Sequence, residues 1–525
     1  MASRIGSMAH AARHALLAAL ALALAQCGEP QRPPNVVVIA LDTLRPDHLG
    51  CYGHARGTSP NLDRWATQSV VFDNAQSAAP WTAPSLVSVM TSLYPSVHGV
   101  STFPDPGAMS ERVTTLAEVL KSRGYATAAF TDGGYAKKQF GLGQGFDVYP
   151  LNEGDTPDEH ASNVAHPSRL APNLERTLRW IEEFKDEPFF LFFHTYEVHG
   201  PYRPPEADLQ AYRPEYREQE EHDRLVAVID RWLEKREIDA DGVRLILKHK
   251  EHCNAGNGPE QEGLYAKLNE FGIRTSDADI MEFWRDLYDA EIRHADRELQ
   301  RLLARLERAD LAENTIVVIV SDHGEGFGEH GYVGHGNALH DEALRVVLML
   351  RAPGFAPRRV HDVVNSVDVM PTVLDLAAIP RNALLLQGRT LVPALRGEKL
   401  AIAPVFSHSL SRKDREGRQW SVREGRWRFV WDEEKQAGAL FDLESDPQEL
   451  ADVSADNPRI AERMLGLLRA QRDVDLAFRE RASGPPQRYQ LDADTERELR
   501  LLGYVEGASP ASSDPRPLPP PKLGQ

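Results

Sequence analysis

This chain has little cysteine, a deficit of positive charge and no internal repeat, and each absence narrows what it does. Three cysteines in 525 residues, Cys27, Cys51 and Cys253, exclude a disulfide framework, and none has a CxxC partner or metal-ligand spacing. A single Cys51–Cys253 bridge is all that pairing allows once Cys27 is assigned to a leader. Sixty Lys+Arg against 78 Asp+Glu give a formal net charge of −18. That balance disfavours nucleic acid or an anionic membrane surface as the main partner, so an anionic substrate must be attracted by a local site. The apolar stretch at residues 15–25 is too short to span a bilayer.

Behind Arg4 and Arg13, that stretch is shaped like the core of a signal peptide, and export follows as the expectation. Residues 1–27 then read in two ways. Leu24-Ala-Gln-Cys27 resembles the bacterial lipobox, in which the cysteine is lipidated and becomes the mature N-terminus, although Gln26 departs from the small residue usual there. Ordinary cleavage after Ala23-Leu-Ala25 is the alternative. The lipoprotein is preferred, giving a periplasmic or membrane-anchored protein of a bacterium held through Cys27.

What is present is the rhythm of an α/β protein, with room for a large core and a smaller appendage. Strand-like segments fall at Val36 to Leu41, Tyr125 to Thr131, Pro188 to Phe193, Ile316 to Val320 and Arg345 to Leu350. Helical stretches separate them, including Thr114 to Arg123, Asn173 to Phe184, Asp277 to Arg308 and Ser366 to Ala378. Residues 206–275 interrupt this order with a charged, mostly helical insertion, either a rim for the site or a solvated excursion. Beyond residue 400 shorter strands follow, Trp420 to Arg423, Arg426 to Trp431 and Ala439 to Leu443, then a helix from Asn457 to Phe478. The expected organisation is a leader at 1–27, a catalytic domain at 34–400, an antiparallel α+β subdomain at 401–506 and a disordered, Pro- and Ser-rich tail at 507–525.

Two apolar runs end in aspartate: Asn35-Val-Val-Val-Ile-Ala-Leu-Asp42 and Thr315-Ile-Val-Val-Ile-Val-Ser-Asp322, the second followed by His323-Gly-Glu325. Runs without alternation suit parallel strands buried on both faces, and ligands collect at the carboxyl ends of such strands. Two carboxylates and an imidazole at one sheet edge suit a divalent cation, calcium, manganese or zinc. Trp81-Thr82-Ala-Pro84-Ser85 opens a helix, so Thr82 is either a plain cap or a hydroxyl beside an anion site. His199 follows the strand at 188–193 and His335 lies between two glycines, where either can approach a ligand; His194 is the more interior of the histidines.

Together these segments resemble the sulfatase family of the alkaline-phosphatase superfamily over residues 34 to 505. Asp42-Thr-Leu-Arg45-Pro-Asp47 and Val320-Ser-Asp322-His323-Gly-Glu325 are similar to its two metal motifs, and Trp81-Thr82-Ala-Pro84-Ser85 to its C/S-x-P-S-R nucleophile motif. His199-Gly-Pro-Tyr-Arg-Pro-Pro205 is similar to its H-x-P-Y-x-P-P stretch, and Leu440 to Pro447 and Glu498 to Val505 to its C-terminal part. The resemblance implies a large mixed, mostly parallel sheet sandwiched by helices, with a smaller C-terminal α+β subdomain. It also implies a hydrolase of anionic sulfate or phosphate esters of small molecules or glycans, which the leader would send out of the cytoplasm. Its one divalent ion would be held by Asp42, Asp322, His323 and Thr82. Thr82 would be the nucleophile, His199 would assist the leaving group, and His335 would contact the transferred anion. The departures are specific. Threonine cannot yield the formylglycine that family cysteine or serine becomes, the motif arginine is Leu86, Thr43 stands where many members have a second metal aspartate, and no lysine lies at 335–341. They leave open a phosphodiesterase or phosphotransferase acting on envelope alcohols or sugars, and a glycan- or metal-binding homologue without turnover.

Overall fold

Continuous Val and Ile runs become the middle of a sheet because both their faces are covered. The computed structural model describes residues 32–101, 107–150, 170–235, 238–249, 271–274, 277–336, 338–412 and 415–483, with isolated positions 267, 270, 495 and 499. The expected leader with Cys27, Cys253, part of the 206–275 segment and the expected tail at 507–525 lie outside the described residues. Cys51 is a free thiol.

The described strands are, in chain order, β1 (Asn35–Leu41), β2 (Val70–Gln76), β3 (Ala126–Phe130), β4 (Phe189–Thr195), β5 (Thr315–Ser321), β6 (Gly326–Phe327), β7 (Val333–Gly334), β8 (Arg345–Val346), β9 (Leu348–Arg351), β10 (Arg358–Asn365), β11 (Val405–Arg412), β12 (Arg415–Glu424), β13 (Trp427–Asp432) and β14 (Ala437–Asp442). One sheet has the order β10-β2-β9-β5-β1-β4-β3, with β8 beside β2. Its pairs β3·β4, β4·β1, β1·β5 and β2·β10 are parallel, whereas β9 runs antiparallel to β5 and β2. The sheet is therefore mixed and mostly parallel. Alternate residues of β1 enter two cores, Val36, Val38 and Ala40 on one face and Val37, Ile39 and Leu41 on the other. Burial of each Val or Ile is worth about 1.5–3 kcal/mol, so both helical layers are needed to hold this strand.

The first core is roofed by the helices Thr82–Thr91 and Val369–Leu376, the second by the long helix Ala278–Leu306 through Leu287, Ile292, Leu299 and Leu303. The single strand expected at 345–350 is broken into β8 and β9. Val347 between them donates its N–H to Ser321 Oγ and accepts from the Ser321 N–H, which takes it out of the ladder with β2. The described part of the insertion is helical, at Glu206–Leu209, Glu218–Lys235 and Ala240–Lys248. It is tied to the long helix by an Arg297 Nη2–Asp208 Oδ2 bond of 2.8 Å and by Trp284 Nε1 donating to Lys248 O at 3.1 Å.

A separate antiparallel sheet, β11-β12-β13-β14, forms the C-terminal subdomain, with the helix Pro458–Ala482 packed on it through Met464 and Leu468. Among the described residues no helix is long and apolar enough to cross a membrane.

Candidate active site

Strand register brings the two halves of the site to one level. Leu41 pairs with Thr195 on β4 and with Ser321 on β5, so residues 42, 196 and 322 leave the sheet together at its carboxyl edge. Asp42, Asp322 and His323 are all fully buried there, with one ligand atom of each within 4.8 Å of the others. His323 Nε2 lies 3.6 Å from Asp42 Oδ1 and 3.5 Å from Asp322 Oδ2. Both of those carboxylate oxygens are buried without a hydrogen-bond partner.

Every other polar atom of the group is turned outward and held. Asp322 Oδ1 accepts from the N–H of Thr43 at 3.2 Å and of His323 at 2.8 Å. Asp42 Oδ2 pairs with His194 Nε2 at 3.2 Å, and His323 Nδ1 pairs with Gly324 O at 2.9 Å, which fixes the tautomer and leaves Nε2 facing the carboxylates. Two orphaned carboxylate oxygens and an imidazole nitrogen converging in a dry pocket fit a divalent cation. Asp42 reports the strain of their proximity: burial, and then the charge of Asp322, holds its carboxyl well above the usual range.

The Thr82–Thr91 helix points its first residue at this group. Trp81, not Thr82, occupies the cap position, and Thr82 Oγ1 sits 3.3 Å from His323 Nε2. Thr82 is thus the first helical residue, and the plain-cap reading does not describe it. Ser85, one turn on, donates to the Asp322 carbonyl at 2.5 Å and pins the helix end to β5. Leu86, in place of the motif arginine, is buried in the apolar core.

Thr43 has a left-handed backbone, φ 54°, costly for a β-branched residue. It is held by Tyr288, whose hydroxyl donates to Thr43 O at 2.8 Å and accepts from the Arg45 N–H at 2.8 Å. Its own hydroxyl donates to Val198 O at 3.0 Å, so it is committed to backbone.

His199 and His335 also reach the group. The His335 ring lies 4.5 Å from His323 and 4.9 Å from His199, centroid to centroid. Its Nδ1 pairs with Glu325 Oε1 at 3.0 Å, while Glu325 Oε2 accepts from Tyr202 Oη at 3.0 Å. Burial raises the Glu325 carboxyl, and burial, then the nearby His335, pushes the His199 imidazole well below its ordinary value. The structure therefore brings Asp42, Thr82, His199, Asp322, His323 and His335 into one cluster. It adds Glu325, legible as the acid that closes the Asp-His-Gly-Glu run, and Tyr196, whose ring stacks edge-on against both His194 and His199. Cys27, the expected lipid site, is outside the described residues.

The sulfatase family profile matches residues 34–379, and the profile of the N-sulphoglucosamine sulphohydrolase C-terminal region matches residues 328–471. The chain belongs to the sulfatase family. As a member it is a hydrolase of that family, which is metal-dependent. It is similar to a choline-sulfatase of Rhizobium meliloti, 26% identical over 81% of this chain and 83% of that one. It is also similar to a Δ4,5-hexuronate-2-O-sulfatase of Bacteroides thetaiotaomicron, 24% identical over 94% and 99%. Among solved structures, the phosphonate monoester hydrolase of Agrobacterium radiobacter has the same fold, with a TM-score of 0.63 at 21% identity over 84% of this chain and 96% of that one.

Proposed function

We propose that this sulfatase-family hydrolase is exported and cleaves an anionic sulfate or phosphate ester of a small molecule or glycan, with Thr82 as its nucleophile. The observation that carries the reading is Thr82 Oγ1 at 3.3 Å from His323 Nε2, beside two carboxylate oxygens that have no partner. A divalent ion, calcium, manganese or zinc, held by Asp42, Asp322 and His323 with Thr82 as a further ligand, would stabilise charge on the ester oxygens and lower the pKa of the hydroxyl.

The chain's own groups do the rest. Thr82 Oγ, having lost its proton, attacks sulfur or phosphorus in line with the ester oxygen. The bond to that oxygen breaks, and the leaving alcohol takes up, through the His199 ring, the proton that Thr82 gave up, so that no net charge is left on the buried imidazole. His335, backed by Glu325, donates to a nonbridging oxygen of the transferred group, where a fixed donor in a dry site stabilises developing charge. Water then cleaves the Thr82 ester and restores the hydroxyl.

One departure favours a phosphorus centre as a second reading. Thr82 cannot become the family aldehyde; Leu86 in place of the motif arginine, and the lack of lysine at 335–341, favour instead the homologue that binds without turnover. Export rests on the apolar leader, with a lipid on Cys27 as the preferred anchor.

The test is a paired screen of aryl sulfate, phosphate monoester, diester and phosphonate esters with the wild type and Thr82→Ala, alongside metal analysis. Turnover of one class by the wild type alone, with equal metal content in both, is expected. A Thr82→Ala protein with full activity would remove Thr82 from the role, and metal binding without release from any ester would favour the binding homologue. Mass analysis of the mature N-terminus separates lipidated Cys27 from cleavage after Ala25.

A further inference from the structure

The segment that carries His335 is gripped from outside the catalytic domain. Residues 326–336 form the β6–β7 hairpin with His335 just beyond it, and residues 338–340 lead into the short helix Asp341–Leu344. Two residues of the C-terminal subdomain enter beneath it. Arg428 of β13 is completely buried, a position an arginine takes only when its charge is paired. Its guanidinium donates to Leu339 O at 3.1 Å and to Gln76 Oε1 at 2.7 Å, pairs with the Asp341 carboxylate, and sets Nε 3.0 Å from Glu449 Oε1.

Glu449 completes the grip. It is buried and held in a left-handed backbone, φ 55°. Its Oε2 accepts from the Asp341 N–H at 2.7 Å, and its carbonyl lies 3.2 Å from His330 Nε2. His330 pairs through Nδ1 with Glu342 Oε1 at 2.7 Å and stacks on His340 at 3.8 Å, nearly parallel. The pair thus fixes the segment on both sides of His335, at His330 before it and at Leu339 and Asp341 after it. Two further bonds set the middle: Gly336 N–H donates to Pro80 O at 2.9 Å, and Ser409 Oγ of β11 donates to Gly336 O at 3.2 Å. Pro80 is two residues from Thr82, so the same segment that presents His335 also abuts the loop that presents the hydroxyl.

We propose that Arg428 and Glu449 are positioning residues of the active site: as one ion pair from the C-terminal subdomain, they hold the 330–341 segment so that His335 stands beside His323 and His199. This rests on the reading of His335 as the group that contacts the transferred anion. Neither residue touches the reacting atoms. A shift of about 1 Å at a catalytic group can cost about a hundredfold in rate, so loosening this grip is visible in turnover without unfolding the sheet.

The experiment uses Arg428→Lys, which keeps the charge and loses the fork, and Glu449→Gln, which keeps the shape and halves the pair. Each is combined with His335→Ala in the full-length protein. The ring proton shifts of His335, assigned by its loss in His335→Ala, are read in parallel by NMR. Expected are kcat losses of about tenfold or more with little change in KM, a moved His335 resonance, and double variants no slower than His335→Ala alone. Unmoved His335 resonances in both variants, or losses that multiply with that of His335→Ala, overturn the proposal. Should Arg428→Lys not fold, Glu449→Gln decides by the same readouts. Because the NMR shift needs no substrate, a wild type that hydrolyses no ester refutes the proposed function while the positioning role is still decided.

Discussion

Replacing Asp42 with asparagine should stabilise the protein when metal is chelated and destabilise it when metal is supplied. Asp42 and Asp322 are fully buried, with ligand oxygens within 4.8 Å of one another. Two negative charges at that range repel by roughly 3 kcal/mol at an effective dielectric of about 20. Burial first, and the Asp322 charge second, hold the Asp42 carboxyl well above its usual range. A carboxyl that binds its proton more tightly folded than unfolded lends stability while it is protonated, and that stability drains away as pH rises above the ordinary value of about 4. In chelator the wild type should therefore lose stability as pH rises from about 4 toward the raised folded value. The Asp42→Asn variant, in which other raised carboxyls such as Asp296 and Asp368 still titrate, should lose less over that range and end on the order of 3 kcal/mol more stable at neutral pH, a few degrees in Tm. With cation in excess the order inverts. Saturation at a thousandfold over Kd adds about 4 kcal/mol to a protein with all three ligands, and much less to one lacking a charged ligand. Scanning calorimetry of both proteins at several pH values, with and without EDTA, reads all four numbers. An Asp42→Asn protein that follows the wild-type pH slope in chelator would refute the shared pocket, and with it the cation fit.

Three further outcomes follow from the packing. Tyr288→Phe removes both hydrogen bonds that Tyr288 makes to the Thr43–Arg45 backbone, leaving the Thr43 carbonyl and Arg45 N–H unmet in the interior, and should cost about 1–3 kcal/mol in denaturant titration. Leu86→Arg restores the motif arginine yet places its charge in an apolar core with no partner, so soluble yield and Tm should fall rather than activity rise. His330 is raised to about 9, first by its hydrogen bond to Glu342; it faces Tyr332 and Glu342 on one side and Glu449 and the stacked His340 on the other. Its contribution is complete below about pH 6.5 and is lost as pH rises through about 9, worth about 1 kcal/mol after allowance for partial exposure. A His330→Asn protein should lack the decline in Tm that the wild type shows between about pH 7 and about pH 9.5.

The parallel core was legible because burial on both faces leaves a plain mark, the unbroken apolar runs of β1, β4 and β5. Strands that lie at an edge or carry one wet face leave a weaker one. β2, inside the sheet, carries Asp73 and Asn74 at half-buried positions, and β10, at its edge, carries Arg358, Arg359, His361 and Asp362; these polar residues hide both strands from any reading of apolar runs. β11, with Ser407, His408 and Ser409, was missed for the same reason, although it is the strand that joins the C-terminal sheet to the loops at Ala78 and Gly336. At 345–350 the composition is that of one strand, and only the Ser321 hydroxyl, a contact across the sheet, breaks it in two.

The convergence of Asp42, Asp322 and His323 was legible for a different reason: a parallel sheet sends its strand ends to one edge, so aspartates that end two strands meet whatever the intervening sequence does. The supports of those ligands carry no such rule. His194, Tyr196 and Tyr288 stand on a strand, a loop and a helix, and each is an ordinary core residue by composition; their roles appear only when register sets His194 against Asp42 and Tyr288 beneath Thr43. Arg428 is more hidden still, since in sequence it is one charged residue of a half-exposed antiparallel strand, and its burial follows from docking of a second sheet. A site assembled this way separates two demands. The strand ends fix where two carboxylates, an imidazole and the Thr82 hydroxyl meet, all of them from the larger domain. The placement of His335 is fixed jointly by Glu325 from that domain and by a salt bridge from the other, so changes in the C-terminal sheet should reach catalysis through His335 before they reach the metal ligands.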